Sequence, residues 1–340
     1  MRNRIFSTGL VFTITMFALL GAVTPLGIHS TQARSILPQA TTLPTPVTTC
    51  GQVLDQPGEY VLTTNLDCSG GDGDYNGVTI TASNVNFHLA GHTIASSDCD
   101  TNRNISGIAV AGGLTNVKID GGAVIGFNDG IVLASSFSHV KGMTVQNACV
   151  FGIVVQGSNN VVQTNAVTGS GSDGIILTPA TKANISSNYS SGNKRAGIAV
   201  SAFAYDNTIE KNVLNNNGGT GEGAGVIVFN GTKTMIRYNT TNNNDFAGIR
   251  IASAPNSNNE AGPLTTVMGN MVSGNANVGI WIQADAPLSS VSANTVFGNG
   301  DSDLLDEVYG CGTNTWLNNL FMTDLAGGVP DGGPKAGCIR

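Results

Sequence analysis

The chain is poor in charge. Only 11% of its 340 residues are Asp, Glu, Lys or Arg, against roughly 25% in an ordinary globular domain. Glutamate occurs five times, so the Glu-, Lys- and Arg-rich surface helices of an α-rich protein are excluded. Basic residues number 15 against 22 acidic ones, which disfavours nucleic acid and anionic membrane as partners. Histidine occurs four times, and no two cysteines show the Cys-x-x-Cys spacing of a zinc site. Apolar residues make up 41%, which argues against disorder. What stands in place of charge is 45 Gly and 37 Asn.

Arg2 and Arg4 precede an apolar stretch from Leu10 to Val23, and Ser30-Thr31-Gln32-Ala33 follows. This reads as a secretory signal over residues 1–33, cleaved near Ala33. Thr13, Thr15, Gly21 and Pro25 leave the stretch short of a membrane span. Without Arg2 and Arg4, 13 basic residues face 22 acidic ones, a net charge of −9. A secreted or periplasmic location follows, and in that setting an even set of six cysteines points to disulfides. Their positions at opposite ends of the chain suggest two local staples, Cys50 with Cys68 and Cys311 with Cys338, leaving Cys99 with Cys149.

Self-comparison reveals a repeat. Gly followed by Val or Ile recurs at Gly77, Gly107, Gly130, Gly152, Gly174, Gly197, Gly225, Gly248 and Gly279, at intervals of 30, 23, 22, 22, 23, 28, 23 and 31. The basic unit is therefore 22 or 23 residues, with insertions in three places. A second register runs through Val85, Val117, Val140, Val162, Ile185, Ile209, Ile236, Val267 and Val291. Three residues after these stand His88, Asp120, Met143, then Asn165, Asn188, Asn212, Asn239, Asn270 and Asn294. A second Asn column follows at Asn193, Asn217, Asn244, Asn275 and Asn299. Each unit holds short alternating runs such as Gly-Ile-Trp-Ile between Gly, Asn and Ser clusters, which is strand and turn chemistry. One such unit cannot bury its apolar face alone, and stacking is required. Stacked amides bond up and down, so both Asn columns are read as structural, and the sequons at Asn188 and Asn239 as buried.

These features resemble the right-handed parallel β-helix proteins, the architecture of pectate lyases and many secreted repeat proteins. The resemblance covers residues 76–320. It implies an all-β, single-domain solenoid of about ten coils, preceded by a Pro/Thr-rich linker at 34–49 and an N-terminal cap at 50–75. A C-terminal tail follows at 321–340. The segments Pro57-Gly58-Glu59-Tyr60-Val61-Leu62 and Val85 to Ile94 look like the cap and first coil of that group, and Asn314-Thr315-Trp316-Leu317-Asn318-Asn319 like its last.

The resemblance says little about activity. The paired aspartates and Gly-His-Gly of polygalacturonases, the Asp-Pro-His of alginate epimerases and the Asp-His segment of pectate lyases are absent, as are Walker, Gly-x-Ser-x-Gly and His-Glu-x-x-His patterns. His88, His92 and His139 are too scattered to favour a copper site, and His88, in the Asn-column position, and His92, after Gly91 in a turn, are read as structural.

Outward positions on the Gly-Ile strand are more informative. If Ile108 and its equivalents point inward, the next residues point out, and the later repeats present Phe229, Arg250 and Trp281 on an otherwise aliphatic face. Insertions at 95–106, 217–224 and 252–264 flank that strand and would wall a groove. Aromatic rings suit sugar stacking, and Arg250 suits a carboxylate or sulfate, so extracellular or cell-wall polysaccharide is the expected partner. A covered interface, in an oligomer or a structural surface protein, is the alternative. Asp72, Asp74, Asp98 and Asp100 lie in two successive acidic loops and are candidate Ca²⁺ ligands. For lyase or hydrolase chemistry the candidates are Asp129, Asp173, Lys194 and Arg195. The two aspartates precede equivalent glycines two coils apart, ~9.6 Å between backbones, near the ~6.5–9.5 Å separation of inverting glycosidase carboxylates.

Overall fold

Each unit supplies three short strands, one to each of three parallel sheets of 12, 10 and 13 strands. The computed structural model describes residues 43–70, 75–97, 99, 105–201, 203–219, 221–252, 264–330 and 337–340. Residues 43–340 form one unit, a right-handed parallel β-helix of about ten coils. Strand pairing begins at Thr45–Val47, inside the stretch expected as linker, and includes Asp324–Ala326 and Val329–Pro330 within the expected tail. The signal segment lies outside the described residues. Among those residues no helix is long and apolar enough to cross a membrane.

The repeat register is the pairing register. Ile108, Ile131, Ile153, Ile175, Ile198, Val226, Ile249 and Ile280 pair in series in the 13-stranded sheet, each fully buried. The glycine before each is required by space. A Cβ on Gly248 would lie 2.3 Å from Val272 Cγ1 and 2.7 Å from the Gly279 carbonyl, and Gly130, Gly152 and Gly174 meet the same kind of obstacle one coil on. Val140, Val162, Ile185, Ile209, Ile236, Val267 and Val291 pair likewise in the 12-stranded sheet. The first two coils correct the expected register by two residues. Phe87 and Ile119, not Val85 and Val117, align with Val140. His88 therefore stands outside the Asn column. It lies on the open side of the sheet, its Nδ1 2.9 Å from Asp120 and its Nε2 3.0 Å from Glu59.

Both Asn columns are continuous ladders. Asn165 donates from Nδ2 to Oδ1 of Asn188, and so on through Asn212, Asn239, Asn270, Asn294 and Asn319, at 2.9–3.0 Å. Each Oδ1 also accepts the backbone N–H of the Asn one coil earlier. The second ladder runs Asn193, Asn217, Asn244, Asn275 and Asn299, and ends on the carboxylate of Asp303. Asn188 and Asn239 are 1% exposed, as their place in the column requires. Every member of the first ladder follows a residue with φ between 54° and 64°, including Thr164, Ser187, Lys211, Tyr238 and Ala293. For such residues this conformation costs about 1–2 kcal/mol, which the bonds of the following amide offset. Three disulfides join Cys50 to Cys68, Cys99 to Cys149 and Cys311 to Cys338.

Candidate functional site

The outward side of the 13-stranded sheet carries two kinds of surface. Along its middle run Val154, Ile176, Ala199 and Ile227, in register on consecutive strands. Although they point away from the core, none exceeds 6% exposure, and they form a second apolar cluster with Phe151 and Phe246. The next two positions in the same register are Arg250 and Trp281, and here the face opens.

Arg250 and Trp281 are packed together. The guanidinium carbon lies 4.9 Å from the Trp281 ring centroid and 5.8 Å from that of Phe246. The two rings themselves stand 5.4 Å apart at 49°. Nε and Nη2 of Arg250 each donate to Gln283 Oε1 at 3.3 Å. Trp281 Nε1 donates to Glu307 Oε1 at 3.0 Å, and the other oxygen of Glu307 accepts the Ala284 N–H. The indole is thus fixed by its polar edge while its face stays with the cation. Among the described residues Arg250 is held by rings and a neutral amide oxygen and makes no ion pair, an arrangement suited to an anionic ligand group.

Sequence reasoning reached Arg250 and Trp281 but missed Phe246 and Glu307. Phe246 stands at the corner two residues before Gly248, where other coils carry Arg195, Asn277 and Asp301. An aromatic ring in a corner column that otherwise holds only aliphatic, small or polar residues, among them Ile105, Asn128, Val150 and Ser172, was the available signal. Glu307 follows the strand Ser302–Asp306 and occupies the place of Gln283 one coil earlier. Phe229 shares the face at 44% exposure, in register with Ala252 rather than with Arg250.

Asp129 and Asp173 do fall in one column, with Phe151 between them. Their environments differ. Asp173 is fully buried, and Arg195 grips it through Nε at 2.8 Å and Nη2 at 2.7 Å, with the Ala196 N–H donating at 3.1 Å. Its hydrogen bonds hold Arg195 above the ordinary guanidinium value. Arg195 is the counter-ion of Asp173. Asp129 accepts the Phe151 N–H at 3.2 Å, and burial raises its carboxyl above the usual range. Lys194 is exposed one residue before Arg195. The candidate Ca²⁺ ligands Asp72, Asp74, Asp98 and Asp100 lie outside the described residues, as do most of the insertions expected to wall the face, at 98, 100–104 and 253–263.

Comparison with known proteins agrees with this architecture. The family model of the right handed beta helix region matches residues 106–262. No curated protein matches the sequence. Among solved structures, the chain is similar to the periplasmic alginate epimerase AlgG, with 16% identity and a TM-score of 0.59 over 81% of this chain and 71% of that one. It is similar to the tailspike protein of E. coli bacteriophage HK620 in complex with a pentasaccharide, at 15% identity and TM-score 0.57, covering 81% of this chain and 55% of the tailspike. The A-module of an Azotobacter vinelandii mannuronan C-5 epimerase gives 16% identity and TM-score 0.52 over 79% and 85% of the two chains. The chain spans little more than half of the tailspike's length, and at these identities the likeness is one of fold. On its repeat, its three parallel sheets and these similarities, the chain is a parallel β-helix repeat protein.

Proposed function

We propose that this protein is exported and binds polysaccharide on the outward face of the 13-stranded sheet, with Trp281 and Phe246 as the stacking surface and Arg250 as the contact for an acidic group. The observation that carries this reading is the Arg250 guanidinium held 4.9 Å from the Trp281 ring and satisfied by a neutral partner, Gln283. A half-open indole beside a cation that makes no ion pair among the described residues suits a sugar ring bearing a carboxylate or sulfate. The likeness in fold to a tailspike solved with a pentasaccharide supports a carbohydrate ligand. The three disulfides support an oxidising compartment.

The reading is one of binding. Asp173 and Arg195 neutralise each other inside the face, and the Asp-Pro-His of alginate epimerases is missing from the sequence. The aliphatic middle of the face is already buried within the chain, so it offers no open apolar stripe for a second copy. Affinity electrophoresis of the full chain through gels carrying a panel of acidic polysaccharides tests the proposal. At least one polymer retards the protein, and the R250A/W281A double variant, folded by circular dichroism, loses at least tenfold in affinity. Unchanged retardation of the folded double variant overturns it.

A further inference from the structure

Arg250 and Trp281 find their partners by the same diagonal step. Each bonds to a side chain of the next coil that stands two residues past its own register partner. Arg250 is paired with Trp281 and bonds to Gln283, and Trp281 is paired with Leu305 and bonds to Glu307. Gln283 N donates to the Ile251 carbonyl and Glu307 N to that of Ile282, so the two residues stack in one column. That column sets a neutral amide against the cation and a carboxylate against the indole. Gln283 Oε1 takes Nε and Nη2, which form one of the guanidinium's two forked edges, while Nη1 makes no hydrogen bond among the described residues. Glu307 lies two coils beyond Arg250, ~9.6 Å between backbones, which is about one screening length at 0.1 M salt. Its two oxygens are engaged by the Trp281 indole and the Ala284 N–H.

We infer that Gln283 is the specificity-determining residue of this face: it orients Arg250 without neutralising it, and so restricts the ligand to polysaccharides whose carboxylate or sulfate reaches the Nη1 side of the guanidinium. The inference rests on the sheet-face reading. Glutamate at this position separates orientation from charge, because it has the shape of glutamine and differs in sign. Its carboxylate would accept the same two donors and add an ion pair, holding the guanidinium more firmly while cancelling its charge. That pair also offsets the repulsion from Glu307 on the next coil. Methionine has a similar length, no charge and only a weak acceptor, and would leave Arg250 charged but loosely held. Gln283 is half-buried on the outward side of the sheet, so neither change touches the core.

Affinity electrophoresis of the full chain through gels of polygalacturonate and of dextran sulfate, at low and high salt, tests this with the Q283E and Q283M variants, and thermal midpoints are measured alongside. At least one polymer retards the unaltered chain, more strongly at low salt. Q283M weakens binding about threefold and keeps the salt dependence. Q283E weakens it at least about tenfold, the loss of one charge-assisted hydrogen bond, and its residual binding is nearly insensitive to salt. Its thermal midpoint nevertheless lies at or above that of Q283M. A purely structural Gln283 gives the opposite order of binding, because Q283E keeps the hold on Arg250 and Q283M releases it. Q283E bound as tightly as Q283M, or more tightly, overturns the inference and leaves the sheet-face reading standing. An unaltered chain retarded by neither polymer overturns both.

Discussion

Replacing Asn212 with Ala tests the idea that the buried amides hold the coils together. Asn212 sits mid-ladder with four side-chain hydrogen bonds. Its Oδ1 accepts the Asn188 N–H and Nδ2, and its own Nδ2 donates to the Ile185 carbonyl and to Asn239 Oδ1. Truncation leaves the Asn188 N–H without its acceptor, a loss of about 1–3 kcal/mol, and removes three further bonds worth about 0.5–1.5 kcal/mol each. These groups are neighbours and relax together, so the expected cost is about 3–5 kcal/mol, a large share of the ~5–15 kcal/mol that stabilises a domain. Asn212→Asp sharpens the test. It keeps the acceptor but places an oxygen against Asn239 Oδ1. A carboxyl buried there has its folded pKa raised, so the native state binds the extra proton and stability increases as pH falls through that pKa. Guanidinium denaturation at pH 7 and pH 4, with hydrogen exchange of the Asn188 amide, reads both effects. An N212A variant within 1 kcal/mol of the unaltered protein, with Asn188 still protected, would refute the reasoning.

Two further outcomes follow from the electrostatics. The hydrogen bond to Asp120 and then that to Glu59 raise His88 above its ordinary 6.5. This contribution is complete below pH 6.5 and is lost as pH rises through the folded pKa. The side chain is 41% exposed, which limits the effect to about 0.5 kcal/mol; thermal midpoints at pH 5.5 and 9 should show it, and His88→Gln should flatten the difference. At the Asp173–Arg195 pair, R195A strands a fully buried carboxylate and should cost about 3–5 kcal/mol. D173N should cost less, because Arg195 reaches water. Guanidinium midpoints that place D173N at or below R195A would contradict this.

The parts of the molecule visible in the sequence are those that repeat. Gly248, Ile249 and Asn239 each mark a position that the stack uses again one coil away, so a spacing of 22 or 23 identified sheet, core and ladder together. The first coils were misaligned for the same reason. Phe87 and Ile119 carry the core there, while Val85 and Val117 imitate the pattern two residues early. The face was only half visible. Arg250 and Trp281 break an aliphatic column and therefore show, but Phe246 and Glu307 reach them from a corner and a strand end, where the columns are mixed in character and one more residue type does not stand out. Nor could sequence separate Asp129 from Asp173. Both precede a repeat glycine, and only the position of Arg195 makes one a sealed ion pair.

The ladders also give the stack an electrical direction. In every rung the amide nitrogen faces the later coil and the oxygen the earlier one, so the dipoles add along the axis instead of cancelling. The sum resembles a helix macrodipole, with its positive pole toward the C-terminal coils. At the other end of the second column, Asn193 Oδ1 takes the Ser170 N–H, a partial positive charge on the negative pole. The positive pole meets Asp303, a full negative charge, which also accepts the Met322 and Thr323 N–H groups. A coil duplicated within the column would lengthen this dipole without disturbing either pole, whereas losing the Asp303 charge would leave the column's positive end buried and uncompensated.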